Sequence, residues 1–154
     1  MVTEKKKTMI GRAEKVLFPE LSDMLLHARI DTGARTSTIW GKAVINKNDQ
    51  LEVTFVGDKN LVHTFSDYGH RVVATSTGHT EARFTIKLLV VLAGRKVRAT
   101  FTIANRSSQV YPVLIGRNVL KGKFIIDVDM GTVLKAAEKK RIKSLESLLE
   151  EKES

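Results

Sequence analysis

An all-β domain, either a barrel or a sandwich, is the fold this sequence predicts. Three features of the stretch from about residue 8 to residue 130 predict it: short apolar or alternating runs, β-branched residues filling most of them, and turn-forming clusters between them. The runs cover 7–17, 25–30, 36–45, 50–56, 71–75, 81–92, 96–104 and 111–115. Asn-Lys-Asn-Asp follows the third run and Gly-Asp-Lys-Asn the fourth, while Thr-Gly-His and Ala-Gly-Arg bracket the sixth. Each cluster is rich in residues that favour turn backbone. The clearest hairpin joins 82–92 to 97–103, because both arms are long and the break at Gly94-Arg95 is short.

Gly116-Arg117-Asn118-Val119-Leu120 then reads as a single helical turn, and 124–128 as a closing strand. After Gly131 the composition changes. Residues 134–154 contain no Gly or Pro and place Ile142, Leu145 and Leu149 on one stripe, which predicts a helix. Lys139, Lys140 and Arg141 lie toward its positive end and Glu150, Glu151 and Glu153 toward its negative end, so its termini should fray. The expected organisation is a β domain over 1–131 and a charged C-terminal helix or tail over 132–154, with no internal repeat.

Composition narrows the classes. With 154 residues, 42% of them apolar, the chain suits one domain with a real core. It has no cysteine, which excludes disulfides and a cysteine zinc cage and makes the cytoplasm the expected compartment. The basic N-terminal region is not followed by an apolar stretch of about 7–15 residues, so neither a signal peptide nor a membrane span is expected. Lys and Arg outnumber Asp and Glu by 26 to 17, a formal charge of +9, which favours anionic partners or simply solubility. The basic residues are scattered, aromatics are 6%, and no nucleic-acid motif is present, so nucleic acid is not the expected partner.

The chemistry centres on Asp31-Thr32-Gly33-Ala34, which closes an apolar run. As a catalytic turn, Asp31 supplies a carboxylate, Gly33 admits a close backbone, Ala34 keeps the cleft floor small, and the Thr32 hydroxyl can hold two such loops together across a dimer axis. Alone, the same tripeptide is also an ordinary turn. A second string, Pro112-Val113-Leu114-Ile115-Gly116-Arg117-Asn118, adds specificity by placing an apolar pair and a glycine before a helical turn. The two together, in this order and spacing, resemble the retropepsins, the retroviral-type aspartic proteases. ARIDTGARTST, VVATSTGHTEARFTI and VLIGRNVLKGKFIIDV resemble more closely a bacterial and archaeal family of retropepsin-like proteins, long labelled ATP-dependent zinc proteases, across roughly residues 9 to 131.

That resemblance implies a closed β-barrel, homodimeric, with Asp31, Thr32 and Gly33 from each subunit forming the catalytic turn and two aspartates activating one water. It implies that Leu114-Ile115-Gly116 braces the loop, and that a flap covers the substrate around Ser76, Thr77, Gly78, His79 and Thr80. An ordinary surface hairpin is the alternative at that place. Viral relatives follow Asp-Thr-Gly-Ala with an acidic pair that grips substrate and pairs with the arginine of Gly-Arg-Asn. Here Arg35 and Thr36 stand there, which leaves Arg117 without that partner. Ala34, Arg35 and Arg117, together with the flap residues, are therefore the expected substrate contacts, and an acidic, glutamate-rich peptide is the expected substrate. Alternatively Arg35 pairs with a structural acid, Asp127 or Glu81. Relatives associated with ATP-grasp glutamate ligases imply such a ligase system as a partner.

The zinc and ATP of the old label find no support in the residues. His27, His63, His70 and His79 form no helical i, i+4 pair, and Gly116 to Gly122-Lys123 has five intervening residues where a phosphate loop has four, with Phe124 in the hydroxyl position. Ser76 and Ser107 lie outside any nucleophile elbow. No metal and no cofactor is expected. The leading expectation is a homodimeric aspartic endopeptidase. Next is a non-catalytic retropepsin-like module that binds acidic tails or a ligase, and the third is a basic β-barrel that binds RNA.

Overall fold

The long alternating run of residues 80–92 forms the spine on which the other strands assemble. The computed structural model describes residues 6–75, 77–105 and 110–133. In chain order its elements are β1 (Thr8–Ile10), β2 (Ala13–Leu17), β3 (Leu26–Ile30), β4 (Ser37–Ile45), β5 (Leu51–Phe55), β6 (Val62–Phe65), β7 (Gly69–Ala74), β8 (Thr80–Leu92), β9 (Arg95–Ala104), β10 (Val113–Ile115), α1 (Arg117–Leu120) and β11 (Phe124–Ile126). Along β8 the side chains of Ile86, Leu88, Val90 and Leu92 are buried, and opposite them on β9 lie Phe101, Ala99, Val97 and Arg95. This period of two puts one face of the hairpin in the core and the other in water. Phe18 packs edge-on against Phe101, ring centroids 5.3 Å apart, and Ile39, Leu51, Val53 and Phe55 extend the same core under β4 and β5.

Pairing runs β10–β3–β2–β8–β9–β4–β5–β6, with β7 on the first half of β8, while β1 and β11 form a separate parallel pair. The strand-dominated architecture is the one expected, but the sheet is of mixed parallel and antiparallel strands and is not the closed barrel that the resemblance implies. β10 also touches β4, through Val113 opposite Ile39 and Leu114 opposite Thr38, so six strands curl back toward one another. That joint is too short to close a barrel, and β5, β6 and β7 leave the curl as free flanks.

Three boundaries differ from the sequence reading. The run 7–17 divides at Gly11, because a side chain there would collide with the Met130 backbone; the chain crosses over, and β1 pairs with β11 instead. β6 has no counterpart among the expected runs. Its Val-His-Thr-Phe puts two polar residues between two apolar ones and so shows no strand alternation, and it is held by pairing with β5 and by Phe65 packing edge-on to Phe55 at 6.1 Å. The closing strand stops at Ile126, where Asp127 Oδ1 accepts the Asp129 amide in a tight turn. The helix expected over 132–154 lies outside the described residues from 134 onward. No helix among the described residues is long and apolar enough to cross a membrane.

Two titrating groups tie this fold to pH in the same direction. His27, on β3 opposite Lys15, is held below its ordinary value of 6.5, first by burial and then by the Lys15 charge. Glu20 is held below 4.5, first by the Leu89 amide at 2.9 Å and then by Arg98. A lowered histidine makes the folded state the weaker proton binder, so its penalty is absent above 6.5 and grows as pH falls toward its folded value. A lowered carboxylate stabilises the fold above 4.5 and loses that effect as pH falls further. The melting temperature should therefore fall from pH 7 to 5, and His27→Gln should flatten that slope; an unchanged slope in a thermal melt would remove His27 as its cause.

Candidate active site

Asp31 is the first residue beyond β3, and its position is set by backbone before any side chain acts. β10 lies parallel to β3, with Val113, Leu114 and Ile115 opposite Ala28, Arg29 and Ile30, and the Asp31 amide extends that ladder by donating to Ile115 O at 2.8 Å. The chain then turns: Ala34 N donates to Asp31 O at 3.2 Å and Gly33 N to Asp31 Oδ1 at 2.9 Å. One carboxylate oxygen thus belongs to the turn. Oδ2 accepts no hydrogen bond among the described residues and is free for chemistry.

The loop is stitched from behind by residues 116–118. A side chain at Gly116 would come within 2.8 Å of Ala34 O and 2.9 Å of the Thr36 backbone, so only glycine allows this approach. Arg117 N donates to Ala34 O at 2.8 Å, and Arg117 Nη1 donates to the Thr32 and Gly33 carbonyls at 3.1 Å each. Asn118 Oδ1 accepts from Ser37 N at 3.0 Å and Ser37 Oγ at 2.8 Å, while its Nδ2 donates to Thr100 O at 2.7 Å. Ser37 Oγ in turn accepts from Gly116 N at 2.9 Å. Beneath them the buried hydroxyls of Thr38 and Thr102 meet at 2.8 Å. These bonds tie β4, β9 and α1 to one loop.

Above Asp31 lies a cavity of about 770 Å³, lined on the floor by residues including Asp31, Ala34, Arg35 and Leu114 and on the far wall by Arg71, Val72, Val73, Ala74 and Thr75 of β7, with Arg83 of β8. The β7–β8 hairpin overhangs the cleft because β8 outruns the core: its first residues pair with β7 alone. Four guanidinium groups, of Arg29, Arg35, Arg71 and Arg83, line this space against the single carboxylate of Asp31 among the described residues. Arg71 and Arg83 sit directly opposite each other in the hairpin register. Arg83 is paired with Glu81 at 3.1 Å, and Arg71 Nη1 donates to Thr36 Oγ1 at 2.6 Å.

The expected site residues are brought together only in part. Asp31, Ala34 and Arg35 line the cleft, and Arg35 makes no ion pair among the described residues: Glu81 is held by Arg83 and Asp127 serves its own turn. Thr32 is exposed, offering its carbonyl rather than its hydroxyl, and Gly33 anchors Asp31. Arg117 does not line the cleft. It clamps the loop backbone and faces an adjoining groove. Thr77, Gly78 and His79 form the hairpin tip, closed by Thr75 N donating to His79 O at 2.8 Å, and they lie beyond the cleft lining; Ser76 is outside the described residues. No motif marks Arg29, Arg71 and Arg83 in the sequence. Arg29 is legible from spacing, since it lies on β3 two residues before Asp31, whose amide continues the ladder, and so shares its face. Among the described residues no three His, Asp or Glu side chains are grouped as a metal site; His63 bonds Leu21 O at 3.0 Å and His70 packs on Phe84.

A β-rich domain in which Asp-Thr-Gly hangs from a strand wedged beside it, with an apolar-Gly-Arg-Asn string behind, defines a retropepsin-like protein. Residues 9–136 match the RimB-like family, described as retropepsin-like aspartic endopeptidase RimB, and the chain belongs to that family. It is 29% identical over 130 residues to a "Probable alpha-L-glutamate ligase" of Shewanella pealeana, and 28% identical over 130 residues to one of Desulfotalea psychrophila. Each match takes in 79% of this chain but 28% of the relative, so the chain spans little more than a quarter of those proteins. A solved Legionella pneumophila protein of unknown function, Lpg0085, shares the fold: TM-score 0.62 at 20% identity, over 83% of this chain and 98% of that one.

Asn118 is the residue on which this stitching tests most simply. Asn118→Ala removes the acceptor for the amide of the fully buried Ser37, and should cost about 2–3 kcal/mol in urea unfolding. A loss below about 1 kcal/mol would show that water takes the place of Asn118 at that amide.

Proposed function

We propose that the chain is an aspartic endopeptidase of retropepsin type that works as a homodimer on acidic, glutamate-rich peptide. The observation that carries this reading is Asp31: a carboxylate with one oxygen held by Gly33 N and the other open, at the floor of a cleft large enough for an extended peptide. One carboxylate cannot perform the reaction alone. Two Asp31 side chains facing across a two-fold axis would share a proton; the ionised one takes a proton from water as its oxygen attacks the peptide carbonyl, and the protonated one donates to the departing nitrogen. Asp31, Thr32 and Gly33 serve as the catalytic turn, with Ala34, Arg35 and the hairpin as substrate contacts.

The acidic substrate rests on charge. Like charges placed directly opposite in a hairpin repel, and Arg71 faces Arg83 over a cleft that also holds Arg29 and Arg35. A carboxylate-bearing ligand relieves that repulsion through charge-assisted hydrogen bonds. The relatives named as glutamate ligases point the same way, since a region like this chain forms part of them, and they support a glutamate ligase system as a partner. The same similarity favours a second reading, in which the module binds acidic tails beside a ligase without cutting them.

Asp31→Asn should lower kcat/KM on a glutamate-rich peptide by at least about a thousandfold. Adding a ninefold excess of Asp31→Asn to wild type, with time to exchange subunits, should leave about a tenth of the activity, because active dimers require two wild-type chains. Undiminished activity in the mixture would exclude the shared site. Tight binding without cleavage by either protein would select the second reading.

A further inference from the structure

Beside the catalytic cleft runs a second groove of about 520 Å³, lined by Arg35, Thr36, Arg71, Arg117, Asn118 and Lys121. It has no carboxylate among its described lining residues, and it shares Arg35, Thr36 and Arg71 with the cleft. The bond from Arg71 Nη1 to Thr36 Oγ1 forms the sill between the two spaces. Arg117 spends Nη1 on the Thr32 and Gly33 carbonyls, and the rest of its guanidinium is left for the groove. Lys121, exposed at the end of α1, places a fourth cation there.

We infer that this groove is an exosite that takes the continuation of an acidic peptide whose scissile region occupies the cleft. The inference rests on the acidic-substrate reading above and extends it to a separate surface. Four cations without an anion are held together at an electrostatic cost that a run of carboxylates removes, and Arg35 and Arg71, reaching both spaces, let one chain be gripped continuously across the sill. The remaining lining, Ala99 and Thr100, carries no ring on which a base could stack, which favours a peptide over a single-stranded nucleic acid. Length is then part of specificity. Four extended residues span about 13 Å and fill one space, whereas twelve span about 40 Å and reach both.

Labelled oligoglutamates of about four and about twelve residues, bound to full-length Asp31→Asn and followed by fluorescence anisotropy, test this without cleavage. The longer peptide should bind more tightly, and Lys121→Glu should weaken it by about fivefold while shrinking its advantage over the short one. Lys47→Glu, in the β4–β5 turn and lining neither space, carries the same change in net charge and should preserve that advantage. Equal affinity for the two lengths, equal effects of the two substitutions, or displacement by an RNA of matched charge as effective as by peptide would each overturn the exosite. The peptidase reading is judged separately, by cleavage, so the two can fail independently.

Discussion

Asp31 has its place because β10, three residues long, is wedged between β3 and β4. Those two strands follow each other in the chain and would ordinarily pair as a hairpin. Here they are held apart, and the loop between them has to cross over the end of the wedge. The backbone at that crossing is tied to the end of β10 and the residues that follow it: Ile115 O takes the Asp31 amide, Arg117 N and Asn118 N reach the Ala34 and Arg35 carbonyls, and Gly116 N donates to Ser37 Oγ. Because Ser37, Thr38 and Gly116 are buried, water cannot replace a lost bond, and each one counts for more than it would at the surface.

This arrangement also explains the choice of residues at 116–118. Glycine is required where two backbones nearly touch. Arginine follows because two consecutive carbonyls, those of Thr32 and Gly33, point away from the core toward a single donor. Asparagine comes third because the site asks one side chain to accept from an amide and a hydroxyl and to donate to a carbonyl. With no acidic residue at positions 35 and 36 to pair with, Arg117 holds the loop backbone through Nη1 and faces the adjoining groove with the rest of its guanidinium.

What could be read in the sequence was whatever depends on local pattern. The alternation of 81–92 against 96–104, the turn at Gly94 and the short helix after Gly116 all follow from neighbours a few residues apart. What could not be read depends on crossings. Gly11 breaks a promising strand only because Met130 passes over it, and β6 exists only because β5 offers it an edge. The site divides likewise: Asp31 stood out by motif, whereas Arg71 and Arg83 became neighbours through hairpin register and joined Arg29 and Arg35 through the overhang of β8.

The cation excess has a structural source beyond composition. Strands place every second side chain on one face, so Arg29 arrives beside Asp31 by alternation, and Arg71 with Arg83 arrives by direct opposition across the hairpin. Glu81 offsets part of one of these charges, and Thr36 offers Arg71 a neutral acceptor in place of an anion. A hairpin carrying two opposed guanidinium groups over a cationic floor is pushed away from that floor by charge and held near it by the Arg71–Thr36 bond. An anionic chain entering the cleft reverses the first of these forces without needing to break the second. On the acidic-substrate proposal, the charge that opposes approach of the hairpin to the floor is the charge an acidic peptide would neutralise, so recognition and the position of the hairpin would be linked through electrostatics.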